Sequence, residues 1–311
     1  MPQNHAGLSP AAVETVAGLS AGSIATLVVH PLDIVKTRMQ IHQRTSHQPL
    51  TTVSLIRSLT QTPHPVASLY RGLTPNLLGN ASSWASFFFF KARAERALLA
   101  LKASPDASLA PRDYFVASGL AGLITQVLTN PIWVMKTRIL SSDRTAAGAY
   151  PSMTAGAAHL FRHEGWRGFY RGLGISLLGV AHGAVQFAVY DPVKRLYFAR
   201  RGPFSSHQES DSLGRQRMST EATLVISSVA KLVAGAVTYP YQVIRSRLQN
   251  YDADTRFGRG IKGVVTRTWT EEGWRGFYRG IVPGVVRVLP ATWVTFLVYE
   301  NVKFYLPQWT S

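Results

Sequence analysis

The sequence predicts an all-α membrane protein: six transmembrane helices in three parallel repeats about a pseudo-threefold axis, each repeat carrying a short amphipathic helix. Three observations predict it. First, the block Pro31-Leu-Asp33-Ile-Val-Lys36-Thr-Arg38-Met-Gln40 recurs as Pro131-Ile-Trp133-Val-Met-Lys136-Thr-Arg138 and as Pro240-Tyr-Gln242-Val-Ile-Arg245-Ser-Arg247-Leu-Gln249. The period of about a hundred residues is that of a two-helix module and not of a solenoid. Second, each copy closes an apolar stretch of helical length, and each is followed by Tyr-Arg-Gly, at Tyr70, Tyr170 and Tyr278. Third, apolar residues make up 46% of the 311 residues and charged ones only 16%, below the roughly 25% of soluble domains.

The charge that remains is lopsided, 33 Lys+Arg against 16 Asp+Glu, for a net +17. Two kinds of partner explain such an excess: nucleic acid, or anionic lipid together with an anionic small molecule. There is no Cys, which excludes disulfides and thiolate metal sites. Residues 1–10 lack the apolar core or Arg-rich amphipathic run of a cleaved leader, so none is expected there.

The first unit covers residues 11–101. Residues 11–29 form an apolar helix studded with small residues, including Gly18-xxx-Gly22, a spacing that lets helix backbones approach closely in a bilayer. Pro31 removes a backbone donor and is expected to kink that helix. The polar stretch 41–68 holds an amphipathic segment at 52–59, and 75–101 forms the second span, with Trp84 and the phenylalanine run 87–90 on it. The second unit, 112–200, repeats this layout. Residues 114–129 lead to a kink at Pro131, with Ser118 and Gly122 in the places of Gly18 and Gly22; a surface helix at 152–164 and a span at 174–198 follow. The third unit, 220–306, runs 222–239 to a kink at Pro240, then 260–271 and 281–306. Linkers at 102–112 and 200–219, rich in Ser, Pro, Gly and charge, separate the units.

None of the six spans is an unbroken apolar run of about 20 residues. Glu14, Gln126, His182, Gln186, Lys231 and Arg287 fall inside them. Polar residues in membrane helices face a bundle interior or a watery cavity, so six helices around a cavity are expected.

Asp33 and Lys36 stand three apart and share a helix face. Repeated about a threefold axis, such blocks set the acid of one unit beside the base of the next, closing the bundle at that end. Opening such a ring costs little, because desolvation of each pair nearly offsets its Coulomb gain. A second charged block ends the even spans, Tyr190-Asp191-Pro-Val-Lys194 and Tyr299-Glu300-Asn-Val-Lys303, while Phe90-Lys91-Ala-Arg-Ala94 departs from it. A gate at each end of a cavity built from parallel repeats is the logic of alternating access.

These residues resemble the mitochondrial carrier family over nearly the whole chain. The family pattern continues with acid-Gly ahead of aromatic-base-Gly, matched by Glu164-Gly165…Tyr170-Arg171-Gly172 and Glu272-Gly273…Tyr278-Arg279-Gly280. The first repeat has His64-Pro65 instead, which leaves the length of its surface helix open. The resemblance implies a multi-pass carrier of the mitochondrial inner membrane, with the peroxisomal membrane as the alternative, and not an enzyme. It implies a matrix gate at the Pro blocks, where Asp33 faces Lys136, Trp133 faces Arg245 and Gln242 faces Lys36. Only Asp33 supplies a carboxylate there; a Trp–Arg contact is cation–π and a Gln–Lys contact a hydrogen bond, so the ring is weaker than three salt bridges. Gln40 and Gln249 sit where family members brace a matrix pair. Asp191, Lys194, Glu300 and Lys303 correspond to the cytoplasmic gate, with Asp191–Lys303 its one expected pair. The resemblance also implies short helices on the matrix side, cardiolipin bound there, and function as a monomer.

Pro131-Ile-Trp133 looks like the subgroup that carries nucleotide-like cofactors. Pro75-Asn76…Gly79-Asn80…Ser83-Trp84 and Thr238-Tyr-Pro240-Tyr-Gln242 look like its FAD and folate members. FAD is therefore expected as the transported substrate and not as a resident cofactor, with folate, NAD, CoA or a pyrimidine nucleotide as alternatives.

Aligning the even spans on Phe90, Tyr190 and Tyr299 brings Arg287 level with Leu78 and Leu178. The same alignment sets His182 with Ser82 and Ala291, and Gln186 with Ser86 and Thr295. Aligning the odd spans on the prolines puts Lys231 opposite Gly22 and Gly122, about 13 Å inside the gate, and Gln126 opposite Thr26 and Gly235. Arg287 and Lys231 are thus two midplane cations with no carboxylate in register, which suits an anion. An Arg fork binds phosphate or carboxylate in bidentate fashion, and Trp84 offers a face for a flat ring or, equally, for helix packing. His182 serves either a ligand or a polar helix contact. Two other classes remain open at this point: a basic helical nucleic-acid-binding protein, and a membrane enzyme, for which no phosphate loop, metal cluster or nucleophile–base pair is found.

Overall fold

A computed structural model describes residues 10–42, 51–102, 109–141, 149–201, 220–251 and 253–310, and these form helices and turns without a strand. The expected leaderless start at residues 1–9 and most of both linkers lie outside the described residues.

The first repeat comprises α1 (Pro10–Ile41), α2 (Thr52–Thr60), α3 (Pro65–Leu69) and α4 (Leu73–Leu101). The second comprises α5 (Pro111–Leu140), α6 (Met153–Phe169), α7 (Leu173–Leu177) and α8 (Ala181–Arg201). The third comprises α9 (Thr220–Val237), α10 (Tyr239–Gln249), α11 (Ala253–Phe257), α12 (Gly260–Glu272), α13 (Ile281–Val286) and α14 (Val288–Thr310). By length and apolarity alone, Val13–Ile41, Arg112–Leu140 and Trp274–Leu306 can cross a membrane, and Glu221–Val237 with Tyr239–Gln249 makes a fourth, bent span. The two remaining long segments, α4 and α7–α8, fall short for local reasons. The charge-free first part of α4 is diluted by Asn76, Asn80, Ser82 and Ser83. A 3-10 turn at Leu178–Val180 separates α7 from α8, whose second half carries Asp191, Lys194 and Arg195.

The most extensive helix packing joins neighbouring repeats: α4 with α5, α8 with α9, and α14 with α1. Small residues spaced four apart make that approach possible, but they are not the glycines. Ala17, Ala21 and Ala25 on α1, Ala117 and Ala121 on α5, and Ala230 and Ala234 on α9 are all buried. A Cβ added at Gly18 or Gly22 would meet nothing within 4 Å, and both glycines line the central cavity. The expected role of Gly18-xxx-Gly22 in close packing is therefore corrected, because the face one residue earlier carries the contact. The prolines also act unequally. α1 and α5 continue as helices through Pro31 and Pro131, whereas the third odd segment breaks at Thr238, with 58° between α9 and α10.

The compact core lies at the Pro-block end. Three apolar clusters form there, around Ile34–Leu59–Leu140, Val134–Leu160–Phe169 and Ile244–Phe257–Val264. The surface helices seal them by burying residues four apart, Leu55 and Leu59 on α2, Gly156 and Leu160 on α6, Val264 and Thr268 on α12. Fully burying one leucine contributes about 1.5–3 kcal/mol, so even a short helix is held. In the first repeat Pro65 starts a new helix where the others continue as acid-Gly, and α2 ends after 9 residues against 13 in α12.

Candidate functional site

α1, α5 and α10 converge at their Pro blocks, and the side chains three residues apart meet across the axis. Lys36 Nζ donates to Gln242 Oε1 at 2.8 Å, and Lys136 Nζ lies 3.7 Å from Asp33 Oδ2. The Arg245 guanidinium sits 5.9 Å from the centre of the Trp133 ring, and Lys136 Nζ sits 4.9 Å from the same ring. Trp133 thus takes up two cations where an acid would take one. Gln40 and Gln249 brace the odd helices through hydroxyls and not through the ring pairs. Gln40 Oε1 accepts from Ser246 at 2.7 Å and Gln249 Oε1 from Thr137 at 3.0 Å.

Below the ring lie two further features, the first present in all three repeats and the second in two. The residue before each proline ties its helix to the turn that starts the next span. His30 Nε2 donates to the Arg71 carbonyl at 2.9 Å, Asn130 Nδ2 to Phe169 at 2.8 Å, and Tyr239 Oη to Arg279 at 3.1 Å. Those turns need Gly72, Gly172 and Gly280, each with φ between 71° and 77°, a left-handed conformation that other residues adopt at a cost. The second feature is a clamp. Glu164 is held by Arg138 at 2.6 Å and Arg171 at 2.7 Å, and Glu272 by Arg247 at 2.7 Å and Arg279 at 2.8 Å. In the first repeat, where His64 replaces the acid, Arg38 donates to the Leu140 carbonyl and Arg71 to those of Ile139 and Tyr150. The available signal was an acid and two bases recurring at fixed spacing in two repeats.

Above the ring lies a cavity of about 530 Å³, with Asp33, Lys36, Lys136, Arg245 and Arg287 near its floor. Four cations against one carboxylate make it an anion well. A side pocket of about 120 Å³ opens beside it, between α9, α13 and His182. Arg287 faces both spaces from a break between α13 and α14, where Pro290 removes the ladder bond to Val286. At the aligned level in the second repeat, Leu178–Val180 form a 3-10 turn, whereas α4 runs unbroken.

The expected residues divide as follows. Trp84 lines the main cavity, stacked on Phe88 at 5.6 Å, and Asn80 lines it while donating to Thr26 Oγ1 at 3.0 Å. His182 lines both spaces. Its Nδ1 lies 2.8 Å from Thr238 Oγ1, and because that hydroxyl already donates to the Ala234 carbonyl, Nδ1–H is the donor. Lys231 lines only the side pocket. Gln126 and Gln186 line neither; the Gln126 Oε1 is buried among the helices. The expectation that Arg287 has no carboxylate in register is corrected, because its guanidinium pairs with Asp33 of α1, a neighbour brought in by α14 packing on α1. At the far end no ion pair joins Asp191 to Lys303 among the described residues. Lys303 and Tyr299 both bind Glu14 instead, the lysine at 2.6 Å, and Lys194 lies over the ring of Tyr190 at 6.0 Å. Asp191 and Glu300 are exposed. Among the described residues no ion pair joins one even helix to another at that end.

A pseudo-threefold helical bundle with a charged central cavity, closed at one end by a ring of weak pairs, defines a membrane solute carrier. Comparison with known proteins agrees and is specific: residues 8–101, 108–201 and 216–308 each match the mitochondrial carrier protein family. The chain belongs to that family. It is 37% identical to the mitochondrial FAD carrier protein of Saccharomyces cerevisiae, over 95% of this chain and 97% of the relative. It is 33% identical to the chloroplastic nicotinamide adenine dinucleotide transporter 1 of Arabidopsis thaliana, over 93% and 90%. It is 30% identical to the chloroplastic folate transporter 1 of the same plant, over 94% of each.

The ring makes one prediction directly. Trp133→Phe retains a π face for Arg245 and Lys136, and Trp133→Ala does not. A cation–π contact contributes about 0.5–1 kcal/mol, or about 2 when desolvated, so the alanine variant is expected to shift the transport rate several-fold and the phenylalanine variant less. Identical rates for the two would reduce Trp133 to a space filler.

Proposed function

We propose that the protein carries FAD across the mitochondrial inner membrane by alternating access, with folate and then NAD as the next candidates. FAD is here the transported substrate, and the protein is a carrier and not an enzyme. The observation that carries this reading is the anion well: four cations and one carboxylate near the floor of a cavity large enough for an extended ligand. A pyrophosphate flanked by two aromatic ring systems suits that floor, with the Arg287 fork on phosphate oxygens and Trp84 beside a flat ring. The identity to the yeast FAD carrier ranks FAD ahead of the other two.

In this reading the ring of Asp33, Lys136, Trp133, Arg245, Lys36 and Gln242 is the matrix gate, shut in the described state. Asp191, Lys194, Glu300 and Lys303 form the cytoplasmic gate, which closes when the matrix gate opens. The partners are an anionic solute and anionic lipid, without nucleic acid, and one chain suffices because its three repeats enclose the whole cavity. A third hollow, of about 450 Å³ between the start of α4 and the start of α6, supports a place for the cardiolipin headgroup at the matrix end, since helix N-termini favour phosphate. Reconstitution into liposomes with labelled FAD, FMN, folate, NAD, CoA and nucleotides tests the reading. FAD uptake above all others is the expected result; folate uptake without FAD uptake would transfer the assignment to folate.

A further inference from the structure

Asp33 is where the ring and the cavity meet. Its Oδ2 lies 3.7 Å from Lys136 Nζ and accepts from Asn76 Nδ2 at 3.2 Å, while its Oδ1 meets Nη1 of Arg287. The other Asn76 amide hydrogen goes to His30 Nδ1 at 3.0 Å, the acceptor nitrogen of a ring whose Nε2–H is committed to the Arg71 carbonyl. One carboxylate oxygen is thus held to the gate and to α4, and the other points to the cation of the cavity. Among the described residues, Asp33 is the one acidic side chain lining that cavity. Its side chain is 7% exposed, whereas that of Arg287 is 34% exposed and reachable by a solute.

We propose that the Asp33 carboxylate is a built-in competitor for the anionic substrate: it occupies Arg287 while the cavity is empty and gives the arginine up when a phosphate or carboxylate arrives. This rests on the reading of the cavity as the substrate site. The exchange leaves Asp33 with Lys136 as its one cation, beside the Asn76 amide, and sets a second negative charge next to it. A ligand shifts a conformational equilibrium only by its differential affinity for the two states. Here the anion binds better once Asp33 has withdrawn, so binding works against the closed ring, and the linkage is reciprocal. A plain gate pair makes a different statement, since breaking it from either side has the same consequence for the ring and none that depends on Arg287.

The test is a double-mutant cycle, Asp33→Asn crossed with Arg287→Gln, on the full chain purified in detergent, with FAD and inorganic pyrophosphate as titrated probes. Asp33→Asn is isosteric and keeps an oxygen for Asn76, and thermal unfolding checks each variant. Freeing Arg287 is expected to lower Kd for pyrophosphate roughly tenfold, the scale of one charge-assisted hydrogen bond. In the Arg287→Gln background the same change is expected to shift Kd by less than about twofold, the usual error of additivity. An equal gain in both backgrounds would mean that Asp33 acts only through the general field of the cavity and would overturn the proposal, as would no gain in either. Lys136→Gln gives a second measurement. It leaves Arg287 as the one cation on Asp33 and is expected to weaken probe binding more than Lys36→Gln, which removes the same charge from a lysine held by Gln242; equal weakening would count against competition. Binding of pyrophosphate with the expected cycle but no binding of FAD would sink the FAD reading and leave the competition standing.

Discussion

Arg287→Ala is expected to lower FAD uptake into proteoliposomes by roughly ten- to a hundredfold, the loss of about 1.5–3 kcal/mol for a hydrogen bond to a charged group. Arg287 earns this weight by position. It sits at the break between α13 and α14, faces both the main cavity and the side pocket, and stands level with Leu78 and Leu178 in the other repeats. No symmetry mate can replace it. Arg287→Lys is expected to recover only part of the loss, because a point charge cannot reproduce a planar fork. Lys231→Ala is expected to cost less than either, since Lys231 lines the side pocket alone. Uptake is measured with each variant checked for membrane insertion by carbonate extraction. Normal uptake by inserted Arg287→Ala protein would remove Arg287 from the substrate site.

The repeat explains why so much was legible beforehand. Pro31, Pro131 and Pro240 fix one register, and the residues two and five places later then meet across the axis, as Asp33 with Lys136 and Lys36 with Gln242 do. What the sequence hid falls into two physical kinds. The first is helix rotation. Gly18 and Ala17 are adjacent, both small and both repeated four residues on, and patterning alone does not say which face packs and which faces the cavity. The second is the neighbouring repeat. Lys303 binds Glu14 on α1, a helix that alignment of the even spans does not compare. The Arg287–Asp33 pair combines both, since it joins α14 to α1 across the repeat boundary, and alignment within repeats compares positions without showing such neighbours.

The same asymmetry bears on stability, where the largest single change is expected at Glu272. Its side chain is 3% exposed and is shared by Arg247, 1% exposed, and Arg279, 20% exposed. Glu272→Ala leaves a fully buried guanidinium without its counter-charge, and removing one partner of a buried pair costs about 3–5 kcal/mol. The equivalent Glu164 is 22% exposed, and its partner Arg171 also binds Asp254 at 2.7 Å. Solvent screening and that second carboxylate both reduce the cost there, so Glu164→Ala is expected to destabilise less. The two buried arginines do not differ in what they keep. Arg138 retains Tyr150 Oη at 3.0 Å and the Gln249 carbonyl at 3.2 Å, and Arg247 retains Thr268 Oγ1 at 2.8 Å and the Gln40 carbonyl at 3.0 Å. The ranking therefore rests on carboxylate exposure and on Asp254. Glu272→Gln, which preserves size but not charge, is expected to fall between wild type and Glu272→Ala. The first repeat shows that a carbonyl-bonded arrangement can stand in for the clamp, but only where the sequence is built for it: Arg71 reaches the carbonyls of Ile139 and Tyr150 in the next repeat. Thermal unfolding in detergent should therefore rank the midpoints as wild type, Glu164→Ala, then Glu272→Ala. Transport should fail at lower temperature in the same order, because the clamp holds the end of α12 and the turn before α13 against α10, which supplies Gln242 and Arg245 to the ring. Equal midpoints for the two alanine variants would show that burial of the carboxylate does not set the strength of the clamp.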